Sequence, residues 1–366
     1  MNIRFQAKIY KIPPNKPIGT IISLATVQPA TNTHTQKTNL SIPASQHPQY
    51  LQPESALTNT ISTMPRVEVN QVPTQKVPPR VHPLTRYPGA RRIYCRDNNT
   101  RQIYDLGNGQ LYKFRPHKRG IYESDIHALI QGTTDIPIPT IYHEWVTVEG
   151  GRGDAGGGGV LVHHMVMEKI EGDPLYKVWV HLNRAGKERL VHQFVDYLDE
   201  LRRITSPIIR SFEGGPLHDE HGVLFGRRNT AQGPFSDNQS LWLALSSDLQ
   251  HNPSRTMQQA LIDLRSIMPH GFPATLTHAD LHQGNILVRN GNIVAIIDWE
   301  GAGFFPSWME YVHYHPASNA PEFEFENLVA RGMKAYPIAR RFMAILDALR
   351  SEDPASMEWA LRQLRR

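Results

Sequence analysis

The chain has 366 residues, a formal net charge of +5 and a single cysteine, Cys95. One cysteine excludes an internal disulfide and any cysteine-rich metal site, and the length allows a two-lobed domain with additional chain. The positive charge belongs to residues 1–88, where 9 Lys/Arg face 2 Glu for a balance of +7, so the remainder stands at −2. Those basic residues are scattered and lack interleaved aromatics, which argues against a nucleic-acid partner.

Residues 1–88 also hold 13 of the 28 prolines, with many Thr, Gln and Asn and no sustained amphipathic period. They read as a mostly disordered tail. The first 53 residues carry no acid, one trait of a mitochondrial-targeting segment. Pro13, Pro14 and Pro17 nevertheless interrupt the amphipathic helix that such a segment needs. The apolar run Ile18–Val27 is too short to span a bilayer. A cytoplasmic body with no membrane partner is the expectation.

Three short β-rich runs follow, Arg92–Arg96, Arg101–Leu106 and Gln110–Phe114, separated by Asp97-Asn98-Asn99 and Gly107-Asn108-Gly109. The turn residues predict a three-stranded meander. Lys113 lies on the third strand, where a kinase-type lysine would meet the α- and β-phosphates and a helix glutamate. Ile121–Ile130 has helical spacing, with Glu123 in its first turn and Asp125 as the alternative acid. Val160–Met167 then reads as a strand that runs into EKIEGDPL, residues 168–175. Between strand-like Trp145–Val148 and that strand lies GGRGDAGGGG, residues 150–159. Its place in the order fits a flexible hairpin insertion better than a phosphate cradle. The loop expected to cover phosphates, Asp97–Thr100, has no glycine.

Helical spacing recurs over Leu175–Leu182, Lys187–Leu201, Asn238–Asp248, Arg255–Met268, Phe325–Ala335 and Arg340–Leu349. Eighteen histidines suggest a metal, but their spacing does not support one: His163 and His164 are adjacent on a strand and point to opposite faces. His313 and His315 have no third ligand at zinc spacing.

The richest stretch is THADLHQGNILVRNGNIVAIIDWEGAG, residues 277–303. Asn290-Gly291-Asn292 between two apolar runs predicts a β-hairpin, which brings Asn285 and Asp298 to one rim. Phosphoryl transfer needs a carboxylate to take the acceptor's proton, and oxygen ligands to hold Mg²⁺ against the phosphates. H-x-D-x-x-x-x-N followed by an Asp after a strand is that arrangement. It makes Asp280 the base and Asn285 and Asp298 the metal ligands. His282, between base and ligand, is placed to contact phosphate or acceptor. No A-P-E segment follows Asp298, and Pro306 arrives early, so a small-molecule hydroxyl acceptor is expected rather than a protein.

HADLHQGNIL and IIDWE resemble the catalytic segment of the aminoglycoside phosphotransferase family, in its fungal-type branch. The one departure is Gln283, where that family usually has proline; a change in loop stiffness is the expected effect. The resemblance covers roughly residues 90–350 and extends to Pro137-Ile138-Pro139 and to EKIEG at a hinge. It implies a two-lobed, protein-kinase-like α+β fold, with a small β-rich N-lobe over 89–170 and a larger, mostly helical C-lobe over 171–366. It implies that Glu123 pairs with Lys113, that backbone groups near Glu168 and Ile170 hold the adenine of ATP, and that His278 supports the catalytic loop from behind. Glu310 would brace the same loop. The implied activity is Mg·ATP-dependent phosphorylation of a small molecule, with a catalytically silent binding protein on the same fold as the alternative. PEFEFEN, residues 321–327, offers three acids, yet residues 302–366 carry 8 acids and 8 Lys/Arg, so nothing marks a strongly anionic acceptor pocket. Trp299, Phe304, Phe305 and Trp308 are expected to pack in the core.

Overall fold

In the computed structural model the described residues are 73–96, 99–117, 122–149, 159–219, 221–226, 231–314 and 321–365, and they belong to one compact unit. A one-turn helix α1 (Pro83–Arg86) precedes the meander β1 (Arg91–Arg96), β2 (Arg101–Asp105) and β3 (Gln110–Pro116). Helix α2 (Glu123–Thr133) leads into the hairpin β4 (Ile141–Glu149) and β5 (Val160–Glu168). These strands form an antiparallel five-stranded sheet of order β1-β2-β3-β5-β4. Glu149 pairs with Val160; residues 150–158, nearly all of the glycine run, lie outside the described residues.

The sheet begins its contacts earlier than residue 89. Gln75 makes a parallel bridge to His143, and the Thr74 hydroxyl donates to the Ile141 carbonyl at 2.7 Å. Leu84 and Tyr87 pack on the cluster of Leu106, Tyr112, Trp145 and Val166. Proline-rich composition describes residues 73–88, but their backbone and side chains are bound to the N-lobe.

The second lobe runs through β6 (Asp173–Pro174), α3 (Leu175–Trp179), α4 (Arg184–Arg203), β7 (Thr205–Ser206) and β8 (Arg210–Ser211). It continues with α5 (Asn238–Ser246), α6 (Arg255–Ser266), β9 (Ala274–Thr277), β10 (Ile286–Arg289), β11 (Asn292–Ile296) and β12 (Gly303–Phe305). It ends with α7 (Met309–His313), α8 (Glu324–Gly332), α9 (Pro337–Arg350) and α10 (Pro354–Leu364). Helix α4 carries the longest apolar stripe, burying Leu190, Val191, Phe194, Val195, Leu198 and Leu201. The Asn183 side chain caps its start by accepting from the Gly186 amide at 2.9 Å. Trp299, Phe304, Phe305 and Trp308 are all buried in the same core.

The β10–β11 hairpin forms as predicted. Asn290 and Gly291 take φ of 52° and 75°, the two left-handed positions that a tight hairpin turn requires. Among the described residues no helix is long and apolar enough to cross a membrane.

Candidate active site

Residues 278–285 form the loop between β9 and β10, and it is fixed from below. His278 is fully buried; its Nε2 donates to the Ile297 carbonyl at 3.0 Å and its Nδ1 accepts the Asp280 amide at 3.3 Å. That pattern uses one N–H and one lone pair, the neutral imidazole. Burial agrees, pushing the ring's pKa down to about 4. The ring packs against Trp299 at 4.4 Å. Glu310 on α7 accepts the His278 backbone N–H, and burial pushes its carboxyl up to about 7 against the opposing pull of Arg202. Both residues therefore support the loop without facing its open side. Ala279 adopts φ 67°, a left-handed conformation that strains a residue bearing a Cβ.

Asp280 is half-buried, and Asn285 donates from Nδ2 to its carbonyl at 2.9 Å. The Ile297 amide donates to the Asn285 carbonyl at 3.0 Å. That contact ties the loop to the approach of Asp298, so the two expected ligands do share a rim. His282 Nε2 lies 3.8 Å from Asp280 Oδ1, while its Nδ1 accepts the Gly284 amide at 2.9 Å.

A nearer partner of Asp280 was not foreseen: His221 Nε2 is 2.9 Å from Oδ1. Burial raises the Asp280 carboxyl, but the hydrogen bond from His221 and the charge of His282 outweigh it, leaving the group below the usual carboxylate range. His221 stands on a loop gathered around Asp219. That carboxylate accepts the amides of Val223, Leu224 and Phe225 at 3.0, 2.8 and 2.8 Å. Arg350 on α9 adds bonds to the Leu224 and Leu245 carbonyls at 2.9 and 2.6 Å. A recess beside Asp280 is lined by His218, His221, Ala279, Asp280, Glu300 and Gly301. The only signal in the sequence was the string HDEH, residues 218–221, whose meaning depends on a distant loop.

The N-lobe contribution meets this loop through charge. Lys113 Nζ is 3.2 Å from Glu123 Oε1 and 2.6 Å from Asp298 Oδ1. Glu123 is thus the helix partner, whereas Asp125 pairs with Lys76 at 2.5 Å near the surface. Burial opposes the Lys113 charge, but Asp298 and Glu123 hold the ammonium above its ordinary range. Burial likewise opposes ionised Glu123, and Lys113 with Arg115 carries its carboxyl well below normal. Asp298 sits at φ 68°, ψ 57°; burial pushes its carboxyl up against the pull of Lys113.

Arg115, two residues beyond Lys113 on the same strand face, lies 3.2 Å from Glu123 and 2.6 Å from Glu300. Arg101 takes the other Glu300 oxygen at 2.7 Å. Glu123, Asp298 and Glu300 bring carboxylate oxygens within 4.8 Å of one another. Glu123 and Glu300 are nonetheless neutralised by Lys113, Arg115 and Arg101, so this trio is not itself a cation site.

Glu168 ends β5, with its amide given to the Thr140 carbonyl at 2.8 Å and its Oε2 accepting the Thr140 amide at 3.1 Å. The Lys169 amide reaches the Gly109 carbonyl at 2.9 Å, and Ile170 follows, half-buried, in the link to β6. In the expected phosphate-covering loop, Asp97 and Asn98 fall outside the described residues. His315 does too.

Two of the three acids at 321–327 have partners in the C-lobe. Glu324 binds Lys187 at 2.6 Å and the Trp179 indole at 3.2 Å. Glu326 accepts from Gln283 at 3.4 Å. The departure at Gln283 therefore does more than alter stiffness: it joins the 278–285 loop to α8. His163 and His164 do face opposite ways. The first binds Glu144 at 2.7 Å, and the second binds Tyr112 and Thr147 at 2.8 and 2.7 Å.

Among solved structures, a thermostable mutant of aminoglycoside phosphotransferase APH(4)-Ia is 15% identical with a TM-score of 0.43, covering 75% of this chain and 92% of that one. The streptomycin–ATP–APH(2")-IIa ternary complex is 14% identical with a TM-score of 0.43, covering 75% and 90%. ADP-bound APH(2'')-Ib is 14% identical with a TM-score of 0.43, covering 75% and 91%. No curated protein matches the sequence. The family model described as "Phosphotransferase enzyme family" matches residues 127–350, more than half of the chain, and this stretch includes Asp280, Asn285 and Asp298 but begins after Lys113 and Glu123. The chain belongs to the phosphotransferase enzyme family.

Proposed function

We propose that the protein transfers the γ-phosphoryl group of Mg·ATP to a hydroxyl of a small-molecule acceptor. The observation that carries this reading is the Lys113 ammonium, held between Glu123 and Asp298 at 3.2 and 2.6 Å beside a loop that presents Asp280. Such a lysine orients the α- and β-phosphates, and its helix glutamate keeps it extended toward them. Asp280, below the usual carboxylate range, stays ionised and is suited to orient the acceptor hydroxyl and take its proton. His278 keeps the loop in shape, and His282 is near enough to reach acceptor or phosphate. Backbone groups of the link around Ile170 and Glu168 are the adenine contacts in this reading.

The donor set fits a magnesium ion. The Asn285 amide nitrogen is committed to the Asp280 carbonyl, which leaves its oxygen. With the Asp298 carboxylate this makes a hard, all-oxygen pair. Asn285 and Asp298 would hold the ion, which when bound neutralises charge on the phosphates. Glu324 and Glu326 are already engaged by Lys187 and Gln283, so these two acids do not favour a polycationic acceptor over another hydroxyl compound.

Thermal shift with ATP, with and without Mg²⁺, tests the reading. Ligand at 100-fold above Kd should stabilise the wild type by about 2.7 kcal/mol, and Asp298→Ala should abolish the Mg²⁺-dependent part. Asp280→Asn should keep that shift and lose roughly 10²–10⁴-fold in turnover. Equal turnover in Asp280→Asn, or no shift at millimolar Mg·ATP, would sink the proposal.

A further inference from the structure

Helix α2 opens without a cap of its own. Tyr122 precedes it in extended backbone and makes no side-chain capping bond, although the first amides of any helix need acceptors. The acceptors come from another element. Glu144, on β4, takes the Glu123 amide with Oε1 at 2.7 Å and the Ser124 amide with Oε2 at 3.0 Å.

Glu144 is completely buried, a costly place for a carboxylate unless it is compensated. Here the positive end of the helix dipole, two amides and the His163 Nε2 at 2.7 Å supply the compensation. Its own backbone is pinned as well, with its amide given to the Gln75 carbonyl at 3.0 Å. The next residue, Lys76, pairs with Asp125 and lies 4.9 Å over the Tyr122 ring.

A cap from within the helix would fix its first turn but leave the whole helix free to swing. A cap borrowed from β4 fixes that turn to the sheet, and this sheet carries Lys113 on β3. The residue held at its amide is Glu123, whose carboxylate grips Lys113 at 3.2 Å. We propose that Glu144 is a positioning residue for the reaction, setting the Lys113–Glu123 pair by locking the first turn of α2 to the sheet. The inference rests on the phosphotransferase reading above, in which that pair orients the nucleotide.

The test combines amide hydrogen exchange with Mg·ATP affinity on the full chain. In Glu144→Gln, exchange at residues 123 and 124 should rise while the later turns of α2 stay protected. The Kd for Mg·ATP should weaken roughly tenfold, as losses of supporting-shell contacts do. Glu123→Gln should weaken it comparably, and the double variant should bind no more weakly than Glu123→Gln alone. Additive losses, or faster exchange with unchanged Kd, would make Glu144 a stability residue only and overturn the proposal. So would unchanged exchange. Should Glu144→Gln fail to fold, Glu144→Asp keeps the charge one methylene further back and should give intermediate values on both readouts. Wild-type protein that does not bind Mg·ATP would remove the nucleotide reading instead, and the exchange measurement, which needs no nucleotide, tells the two failures apart.

Discussion

At the scale of single residues, the balance at Asp280 decides what the site can do. Burial alone would raise this acid, and the His221 hydrogen bond at 2.9 Å reverses the sign. Removing the imidazole leaves burial opposed by the weaker pull of His282 and His278, so the Asp280 pKa should climb. With Asp280 as the proposed base, turnover should fall as pH drops through that pKa. The acid limb of the pH–rate profile should therefore move to higher pH in His221→Ala, and less so in His221→Gln, which keeps a donor. An unmoved limb would show that His221 does not tune the base. That Asp280, Asn285 and Asp298 lie near one another was legible in the sequence, because a short loop and a local hairpin set their spacing. His221 was not, because its contact depends on a loop far upstream in the chain. Arg115 was accessible to the same reasoning as Lys113, since alternate residues of a strand share a face. Glu300, its partner, stood in plain view in IIDWE.

At the scale of elements, the loop that presents His221 owes its shape to one side chain. Asp219 satisfies three amides, two of them at buried residues. Asp219→Ala should cost about 2–3 kcal/mol, because buried donors lose their acceptor, seen in urea as a lower midpoint with an unchanged slope. The meander, the Asn290-Gly291 hairpin and the major helices were readable because turn residues and apolar period agree there. Helix α10 was overlooked although Asp353 caps it and Pro354 begins it. Only Ala360 is fully buried on it, yet Met357, Ala360, Leu361 and Leu364 stand at helical spacing and pack on the core, so the pattern was there to be read. The start of α2 was harder in principle: its capping residue lies on a strand twenty positions away, beyond any local pattern.

At the scale of the whole molecule, the two lobes meet through ions. Lys113, Arg115 and Arg101 from the sheet face Asp298 and Glu300 from the catalytic side. Composition could not reveal this, since it reports totals and not which charges are buried together. Nor could it separate residues 73–88 from the tail before them, since a segment can pack through single bonds and a few side chains with only one turn of helix. That short segment has a further consequence. The sheet has two borders: β1, which carries Arg91, Arg92 and Arg96, and β4, whose outer rungs at Tyr142 and Glu144 are occupied by Gln75. Arginines discourage a foreign strand from docking on the first border. The second relies on Thr74 and Gln75 as its shield. A chain begun at residue 89 should bare β4 and self-associate in light scattering, whereas one begun at residue 73 should stay dispersed, because it keeps the Thr74 and Gln75 bonds that turn an open border into a closed one.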